Sequence, residues 1–196
     1  MLIYKWTKII SVLTAVLLAS ACKERSFPTA NSSLLTVDNY EYTLETPKDW
    51  QFCAARSGGN LHGYVFYAPS TPKGCPKRAE QITRFISIYA DFNALNQNGQ
   101  DLRSAICKES NSSTENFVNE IIAPQQKIYS LCRKNDKDTI EIKKIIGISR
   151  KDKKVFDIEP QSIPDIYILA TLYTTKNKFH DDSKNFFKVT GTIKYN

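Results

Sequence analysis

The sequence predicts an α+β fold, in which an antiparallel β-sheet meander packs against two or three helices as an α/β sandwich. Two observations lead to this class. Runs of alternating apolar and polar residues, typical of half-buried strands, occur in both halves of the region 37–196. Apolar residues at helical spacing occur between these runs and again near the C-terminus. No repeat or change of composition divides this region, so we expect one domain.

Four strands are predicted in the first half of the domain. Each is an alternating or wholly apolar run bounded by turn residues such as Pro47 or Gly58-Gly59. One of them, over residues 62–68, is apolar on both faces, which is typical of a central strand. The predicted strands cover residues 40–45, 50–55, 62–68 and 82–90.

Two helices are predicted next. Leu102 and Ile106 share one face of the first helix, behind a cap at Asp101. The second helix, over residues 117–122, follows a capping-box pattern at residues 112–115. Cys107 would lie on or beside the first helix, and Cys132 on the strand that follows the second helix. A disulfide between them would join a helix to the sheet.

The last third of the sequence returns to strands. Ile140, Ile142, Ile146 and Ile148 share one face of the longest run. A meander, in which each strand pairs with the next, is the simplest topology. The predicted strands cover residues 127–133, 139–149, 155–158, 166–173 and 192–195, with a short helix over residues 182–189.

A short motif suggests a family for this domain. The strand, proline and tryptophan of YTLETPKDW, from Tyr42 to Trp50, and the pair Phe186-Phe187 before Ile193 carry the resemblance. In these features and in element order, residues 38–195 resemble the PsbP-like and DcrB-like α/β sandwich domains, although the cysteines are not part of that pattern. The resemblance implies accessory or binding roles and no active site.

The first 21 residues are typical of a lipoprotein signal peptide. Lys5 and Lys8 form a positive region, residues 9–18 are apolar but too short to span a bilayer, and Ala19-Ser20-Ala21 supplies small residues before Cys22. This segment resembles the lipobox that signal peptidase II cleaves in bacterial lipoproteins. The resemblance implies that Cys22 is acylated with diacylglycerol and a fatty acid such as palmitate, anchoring the protein to a membrane.

Two alternatives remain open for this segment, because Ala19 stands where the lipobox usually has leucine. Ala19-Ser20-Ala21 also fits the A-x-A site of ordinary secretion, and an uncleaved membrane anchor is a third interpretation. Residues 22–36 lack periodicity and are predicted to form a lipidated flexible tether. Lys23 rather than aspartate follows Cys22, which by resemblance to enterobacterial lipoproteins favours the outer membrane over the inner membrane, with the domain in the periplasm.

The five cysteines suit an exported protein. Assigning Cys22 to the lipid leaves an even number, which predicts two structural disulfides among Cys53, Cys75, Cys107 and Cys132. Sequence alone permits three connectivities. We favour Cys53 with Cys75 and Cys107 with Cys132, because each bond closes a short loop between segments expected to be neighbours. The sequence lacks a C-x-x-C motif and a zinc-ligand spacing, so neither a redox site nor a zinc site is predicted.

The mature chain is predicted to be mildly basic. Removal of residues 1–21 takes away two of the 27 Lys and Arg residues and none of the 20 acidic residues, leaving a net charge of +5. Basic residues cluster at positions 73–78 and 150–154. An exported protein meets lipid headgroups and cell-wall polymers, so no nucleic-acid partner is predicted. We interpret the clusters as solvated loops, with a contact for anionic envelope polymers or an acidic protein as the alternative.

The sequence has two histidines, neither in a catalytic motif. Ser57 precedes His62 but lies in a Gly-rich turn without a nucleophile-elbow pattern. His180-Asp181-Asp182 has metal-ligating side chains, yet acidic residues at a helix N-terminus are ordinarily structural.

A second acidic group, Asp136, Asp138 and Glu141, has the alternating spacing of a calcium loop. The neighbouring lysines and the lack of the required glycine speak against calcium. We therefore predict no catalytic residue, no metal and no cofactor.

Several aromatic residues lie on the predicted strands, namely Tyr64, Phe66, Tyr67 and Tyr89. Core packing is the favoured interpretation, and an exposed binding face is the alternative.

Together these observations predict a membrane-anchored periplasmic lipoprotein with a non-enzymatic binding or accessory role in the cell envelope. Its expected partners are the membrane lipid through Cys22 and an envelope protein or cell-wall polymer. One alternative is an immunity or inhibitor protein that neutralises an envelope-acting toxin or hydrolase, which would need a charge-complementary surface. Another is an envelope enzyme with an unrecognised carboxylate site.

Overall fold

The computed structural model describes residues 34–53, 65–71, 74–75, 82–107 and 129–196. These residues form ten strands, two α-helices and a short 3-10 helix at Asp38–Tyr40. The helices are α1 (Gly99–Ile106) and α2 (Phe179–Gly191). The strands are β1 (Leu34–Val37), β2 (Tyr42–Glu45), β3 (Trp50–Phe52), β4 (Val65–Pro69), β5 (Phe85–Phe92), β6 (Leu131–Asn135), β7 (Thr139–Ser149), β8 (Lys154–Asp157), β9 (Ile166–Thr175) and β10 (Lys194–Tyr195).

The strands form two antiparallel sheets. A small sheet has the order β1-β2-β10, and a seven-stranded sheet has the order β3-β4-β5-β9-β7-β6. The seventh strand, β8, pairs with residues Ile146 to Ser149 of β7, whereas β6 pairs with residues Ile140 to Lys144 of the same strand. The predicted α+β class, with helices packed on antiparallel strands, is confirmed.

The strand order departs from a simple meander in the positions of β10, which pairs with β2, and of β9. β9 lies between β5 and β7, although both of those strands precede it in the sequence. The buried residues of β9 explain this position, because Ile168 pairs with Ala90 on one side and with Ile146 on the other. A long strand with a continuous apolar face buries the most surface when both of its edges are paired.

Alternation along the strands divides the side chains between two faces. On one face, Ile168 and Leu172 of β9 belong to a core that includes Phe186 of α2 and Tyr42 and Leu44 of β2. On the opposite face, Leu102 of α1 packs with Ile145 and Ile158. The seven-stranded sheet therefore lies between the two helices, with the small sheet on the same side as α2.

The first elements differ from prediction. β1 begins at Leu34 and Leu35 is buried, so the segment 22–36 assigned to a tether includes the start of the first strand. Tyr40 belongs to the 3-10 helix rather than to β2, since Glu41 takes a left-handed conformation with φ 54° and breaks the extended run before Tyr42.

The helices also differ in detail from prediction. The cap of α1 is Asn98, whose extended backbone lets its Oδ1 accept a hydrogen bond from the backbone N–H of Asp101 at 3.0 Å. The predicted cap at Asp101 is therefore wrong. α2 is longer at both ends than the predicted 182–189. The helix predicted over residues 117–122 lies outside the described residues. Neither helix in the described part of the chain is long and apolar enough to cross a bilayer.

Candidate functional site

Two disulfides link distant parts of the described chain. The structure joins Cys53 to Cys75, with a Cα–Cα distance of 5.6 Å, and Cys107 to Cys132, with a distance of 5.8 Å. These are the two pairs that the sequence favoured. Because Cys107 follows α1 and Cys132 lies in β6, the second bond joins the helix to the edge of the sheet. Disulfides persist in oxidising compartments, so the domain is extracytoplasmic.

Several predicted site residues lie outside the described residues. These are the acylation site and the residues of the Gly-rich segment: Cys22, Ser57, His62 and Tyr64. The first basic cluster, at positions 73–78, is described only at Gly74 and Cys75. The structure therefore places neither the lipid anchor nor the Ser57–His62 pair.

The acidic start of α2 is divided between solvent and core. His180 and Asp181 are exposed, whereas the Asp182 side chain is 1% exposed and faces the sheet. Its carboxylate accepts two hydrogen bonds from Arg84, one of them 2.7 Å from Nε, and another from the Thr174 hydroxyl. The hydrogen bonds that Arg84 donates to Asp182 raise the pKa of Arg84. This cluster joins β5, β9 and α2 and has the partners of a structural ion pair.

The second acidic group, on the β6–β7 hairpin, is engaged with its neighbours. The Asp136 carboxylate accepts a bond from the Lys137 N–H at 3.2 Å, and Glu141 lies 3.3 Å from the Lys143 ammonium. Across the described residues, no group of three or more His, Cys, Asp or Glu side chains is placed to hold a metal ion.

The strand aromatics are divided between the two faces of the sheet. Tyr67 is fully buried in the core. Phe66 projects to the other face, where its ring stacks on Phe85 at 5.4 Å, and Phe85 stacks on Tyr173 at the same distance. Tyr67 therefore agrees with the core-packing interpretation, whereas Phe66, its neighbour on the same strand, is half-buried on the opposite face.

A tyrosine cluster surrounds Asp91 near the end of β5. The Tyr89 hydroxyl donates to the Asp91 carboxylate at 2.9 Å, and its ring lies 6.5 Å from that of Tyr167. Burial raises the pKa of Tyr89, Tyr40 and Tyr167, and the negative charge of Asp91 adds to each shift. These phenols therefore stay protonated at neutral pH and act as hydrogen-bond donors rather than as bases.

Three of the four exposed large hydrophobic residues in the described part of the chain lie at one end of the large sheet. We define the loop end as residues 92–97, 150–153 and 163–165, where β5 and β7 end and β8 and β9 begin. Leu95 is 81% exposed, Ile163 is 59% exposed and Phe92 is 48% exposed. Among the described residues only Leu34 joins them as an exposed large hydrophobic residue. Three such side chains on one end indicate a contact surface.

Two polar residues, the buried Asn93 and the exposed Asp165, hold the three loops of the loop end together. Asn93, which is buried, donates from Nδ2 to the carbonyl oxygens of Gln97, at 2.8 Å, and Pro164, at 3.0 Å. Asp165 accepts a bond at 2.7 Å from the backbone N–H of Arg150. Its own N–H donates to the carbonyl of Ile148 at 2.9 Å. The loops are therefore fixed relative to one another before any partner binds.

The loop end is also basic. Its β7–β8 turn, together with the first residue of β8, presents the exposed side chains of Arg150, Lys151, Lys153 and Lys154 around one acid, Asp152. Asp152 accepts a bond from the Ser149 hydroxyl at 2.9 Å. The second basic cluster found in the sequence thus lies beside the exposed apolar residues.

Comparison with solved structures found a distant likeness. No family model matches the sequence, and no curated protein matches it. The chain is similar to the solution structure of cyanobacterial PsbP (CyanoP) from Synechocystis sp. PCC 6803, with 10% identity and a TM-score of 0.40. The alignment covers 89% of this chain and 99% of that chain. The α+β assignment rests on the strands and helices described above rather than on this likeness.

The loop end escaped the sequence analysis. Leu95 and Ile163 belong to no strand or helix pattern in the sequence. Leu95 lies beside Asn96 and Ile163 beside Pro164, in segments typical of loops. A lone apolar residue in a loop is ordinary, and only spatial proximity gives such residues meaning. The signal that sequence did offer was the basic run at positions 150–154.

Proposed function

We propose that this protein is a membrane-anchored periplasmic lipoprotein, acylated at Cys22, with a non-enzymatic binding or accessory role in the cell envelope. The lipobox-like segment before Cys22 supports the anchor. The two disulfides support an oxidising compartment. Lys23 supports the outer membrane over the inner membrane, by resemblance to enterobacterial lipoproteins.

The environment of the acidic residues supports a binding role rather than catalysis. A general acid or base needs a carboxyl group that can reach a substrate. Asp182 is instead buried against Arg84 and Thr174, and Asp91 accepts a bond from Tyr89. Asp182, which the sequence singled out, thus serves to connect the sheet with α2.

The observation that carries the binding role is the loop end, where exposed apolar and basic residues share one surface. Its three loops are fixed by Asn93 and Asp165. A preformed surface of this kind loses little conformational entropy when it meets a partner.

Intact mass spectrometry of the protein extracted from its native membrane tests the anchor. We expect a chain that begins at Cys22, with added mass equal to diacylglycerol and an acyl chain. Reduction should add two hydrogens for each disulfide. An unacylated chain beginning at Cys22 would show that the protein is a soluble secreted protein and would overturn the anchor.

Separation of inner and outer membranes on a density gradient tests the location. We expect the protein in the outer-membrane fraction and a shift of Lys23→Asp to the inner membrane. The conservative variant Lys23→Arg is the matched control and should stay in the outer membrane. Equal distributions of all three proteins would contradict the role given to residue 23.

A further inference from the structure

We infer that the loop end docks the domain onto an anionic phospholipid surface. The inference rests on the proposed envelope location and adds to it a second membrane contact, made by the folded domain itself. Two observations lead to it, the exposed apolar residues and the basic turn beside them, and the reach of the predicted tether allows it.

The apolar residues have the exposure that membrane insertion requires. Leu95 and Ile163 project from loops on either side of the contact that Asn93 makes with Pro164. Phe92 is anchored beside them, with its ring centre 5.0 Å from that of Tyr40. Residues of this kind enter the boundary between headgroups and acyl chains and leave the rest of the domain in water.

The basic turn supplies the electrostatic part of the contact. Four cations and one acid lie between positions 150 and 154. Further acids lie at this end, Asp91 among them, and are hydrogen-bonded within the fold, so the excess of cations is confined to the β7–β8 turn. Asp165 accepts from the backbone of Arg150, and Glu41 accepts a bond from the Tyr195 hydroxyl and lies 3.4 Å from the Arg150 side chain. A surface of this charge is attracted to the phosphates of anionic headgroups.

The direction of the chain is compatible with both contacts at once. β1 enters the domain from Leu34 and runs towards Tyr40, whose ring meets Phe92 at the loop end. Eleven residues separate Cys22 from Leu34. The flexible tether predicted for these residues would span about 18 Å, which exceeds the roughly 13 Å length of β1 and so allows the loop end to reach the same membrane that holds the anchor.

Depth-dependent fluorescence quenching tests this inference. The mature protein is reconstituted in vesicles that contain phosphatidylglycerol and lipids brominated along their acyl chains. We compare Leu95→Trp with Lys137→Trp, which places the same fluorophore on the exposed β6–β7 turn at the opposite end of the sheet. The mature wild-type chain, whose single tryptophan Trp50 is buried, gives the background.

We expect strong quenching for Leu95→Trp and background quenching for Lys137→Trp. The added pair Lys151→Glu and Lys153→Glu should weaken vesicle association of the unacylated protein about tenfold or more, because charge repulsion replaces attraction. Vesicles of phosphatidylcholine alone should give the same weakening.

Two results would overturn the docking. Equal quenching at positions 95 and 137 would indicate a domain that meets the membrane without a preferred face. Quenching at background level at position 95 would show that the loop end does not enter the membrane, and would favour a protein partner for it. The intact mass of the same sample reports acylation separately. An acylated protein without quenching refutes the docking alone, whereas an unacylated protein with quenching refutes the anchor alone.

Discussion

Arg84 donates two hydrogen bonds to the carboxylate of Asp182 and so joins the start of β5 to the first turn of α2. The two side chains differ in exposure, at 26% for Arg84 and 1% for Asp182. The guanidinium group also lies 5.8 Å from the centre of the Trp50 ring. This pair is one of the links between the sheet and the helix that covers its core face.

We predict that the two partners respond unequally to substitution. Arg84→Met leaves a buried carboxylate without its cation and should destabilise the protein by about 3 kcal/mol. Asp182→Asn leaves a cation that can reach water and should cost about 1 to 2 kcal/mol. Urea unfolding measures both. Asp157→Asn, which breaks the more exposed pair with Lys144, is the control and should cost less than about 1 kcal/mol. A smaller loss for Arg84→Met than for Asp182→Asn would contradict this account.

We predict that Gly99 at the start of α1 cannot be replaced by alanine without a large loss of stability. An added Cβ would lie 2.0 Å from the carbonyl oxygen of Glu159, which is backbone and cannot move alone. The expected destabilisation is about 3 kcal/mol.

Gly191, the last residue of α2, is the matched control, because an added Cβ there meets nothing within 4 Å. Gly191→Ala should stabilise the protein by about 0.5 to 1 kcal/mol. Thermal unfolding of both variants gives the comparison, and similar melting temperatures for the two would count against the close approach at Gly99.

We predict a specific dependence of stability on pH from Glu41. The hydrogen bond from Tyr195, at 2.5 Å, is the main cause that lowers the pKa of Glu41, and Arg150 adds to it. Because this pKa is lower in the folded state than in the unfolded chain, the contribution of Glu41 is present above the unfolded pKa. It is lost as the pH falls through the folded pKa.

NMR titration of the Glu41 carboxyl group tests this prediction. Tyr195→Phe removes the hydrogen bond and should raise the pKa of Glu41 towards its ordinary value. Tyr173→Phe, on the far face of β9, makes the same chemical change without contact to Glu41 and should leave the titration unchanged. An unaltered Glu41 titration in Tyr195→Phe would show that the bond has no electrostatic effect.

We predict that the two disulfides stabilise the protein to a similar extent. Their sequence separations are 22 and 25 residues, for which loop entropy gives about 3 to 4 kcal/mol each. The double variants Cys53→Ala with Cys75→Ala and Cys107→Ala with Cys132→Ala should therefore unfold at similar, lower urea concentrations. Adding reductant should lower the stability of each variant again by removing the remaining bond. A variant that reductant leaves unchanged would show that its remaining cysteines are not bonded.

The elements with regular periodicity were predicted well. The alternating isoleucines predicted both ends of β7, Thr139–Ser149, correctly. β9 is only two residues longer than the strand predicted over residues 166–173. Elements governed by single residues were predicted less well. Asn98 rather than Asp101 caps α1, because the cap is set by the backbone conformation of one residue, which periodicity does not report.

The candidate site was accessible to sequence analysis only in part. The basic run at positions 150–154 was visible, but its neighbours Leu95 and Ile163 were not, since they lie more than fifty residues from each other in the sequence. The order β5-β9-β7 brings their loops to one end of the sheet. Asn93 then fixes the two loops together through Pro164.

The sequence by itself determined which segments form strands and helices, which cysteines pair most readily, and the expectation of a lipid anchor at Cys22. These are local properties, because periodicity, loop length and signal motifs are each contained within a short stretch of chain. The tertiary structure decided the central position of β9, the face on which Phe66 and Tyr67 lie, and the gathering of apolar and basic residues at the loop end. Those features depend on pairing between distant strands, which is set by the total apolar surface that the whole domain can bury.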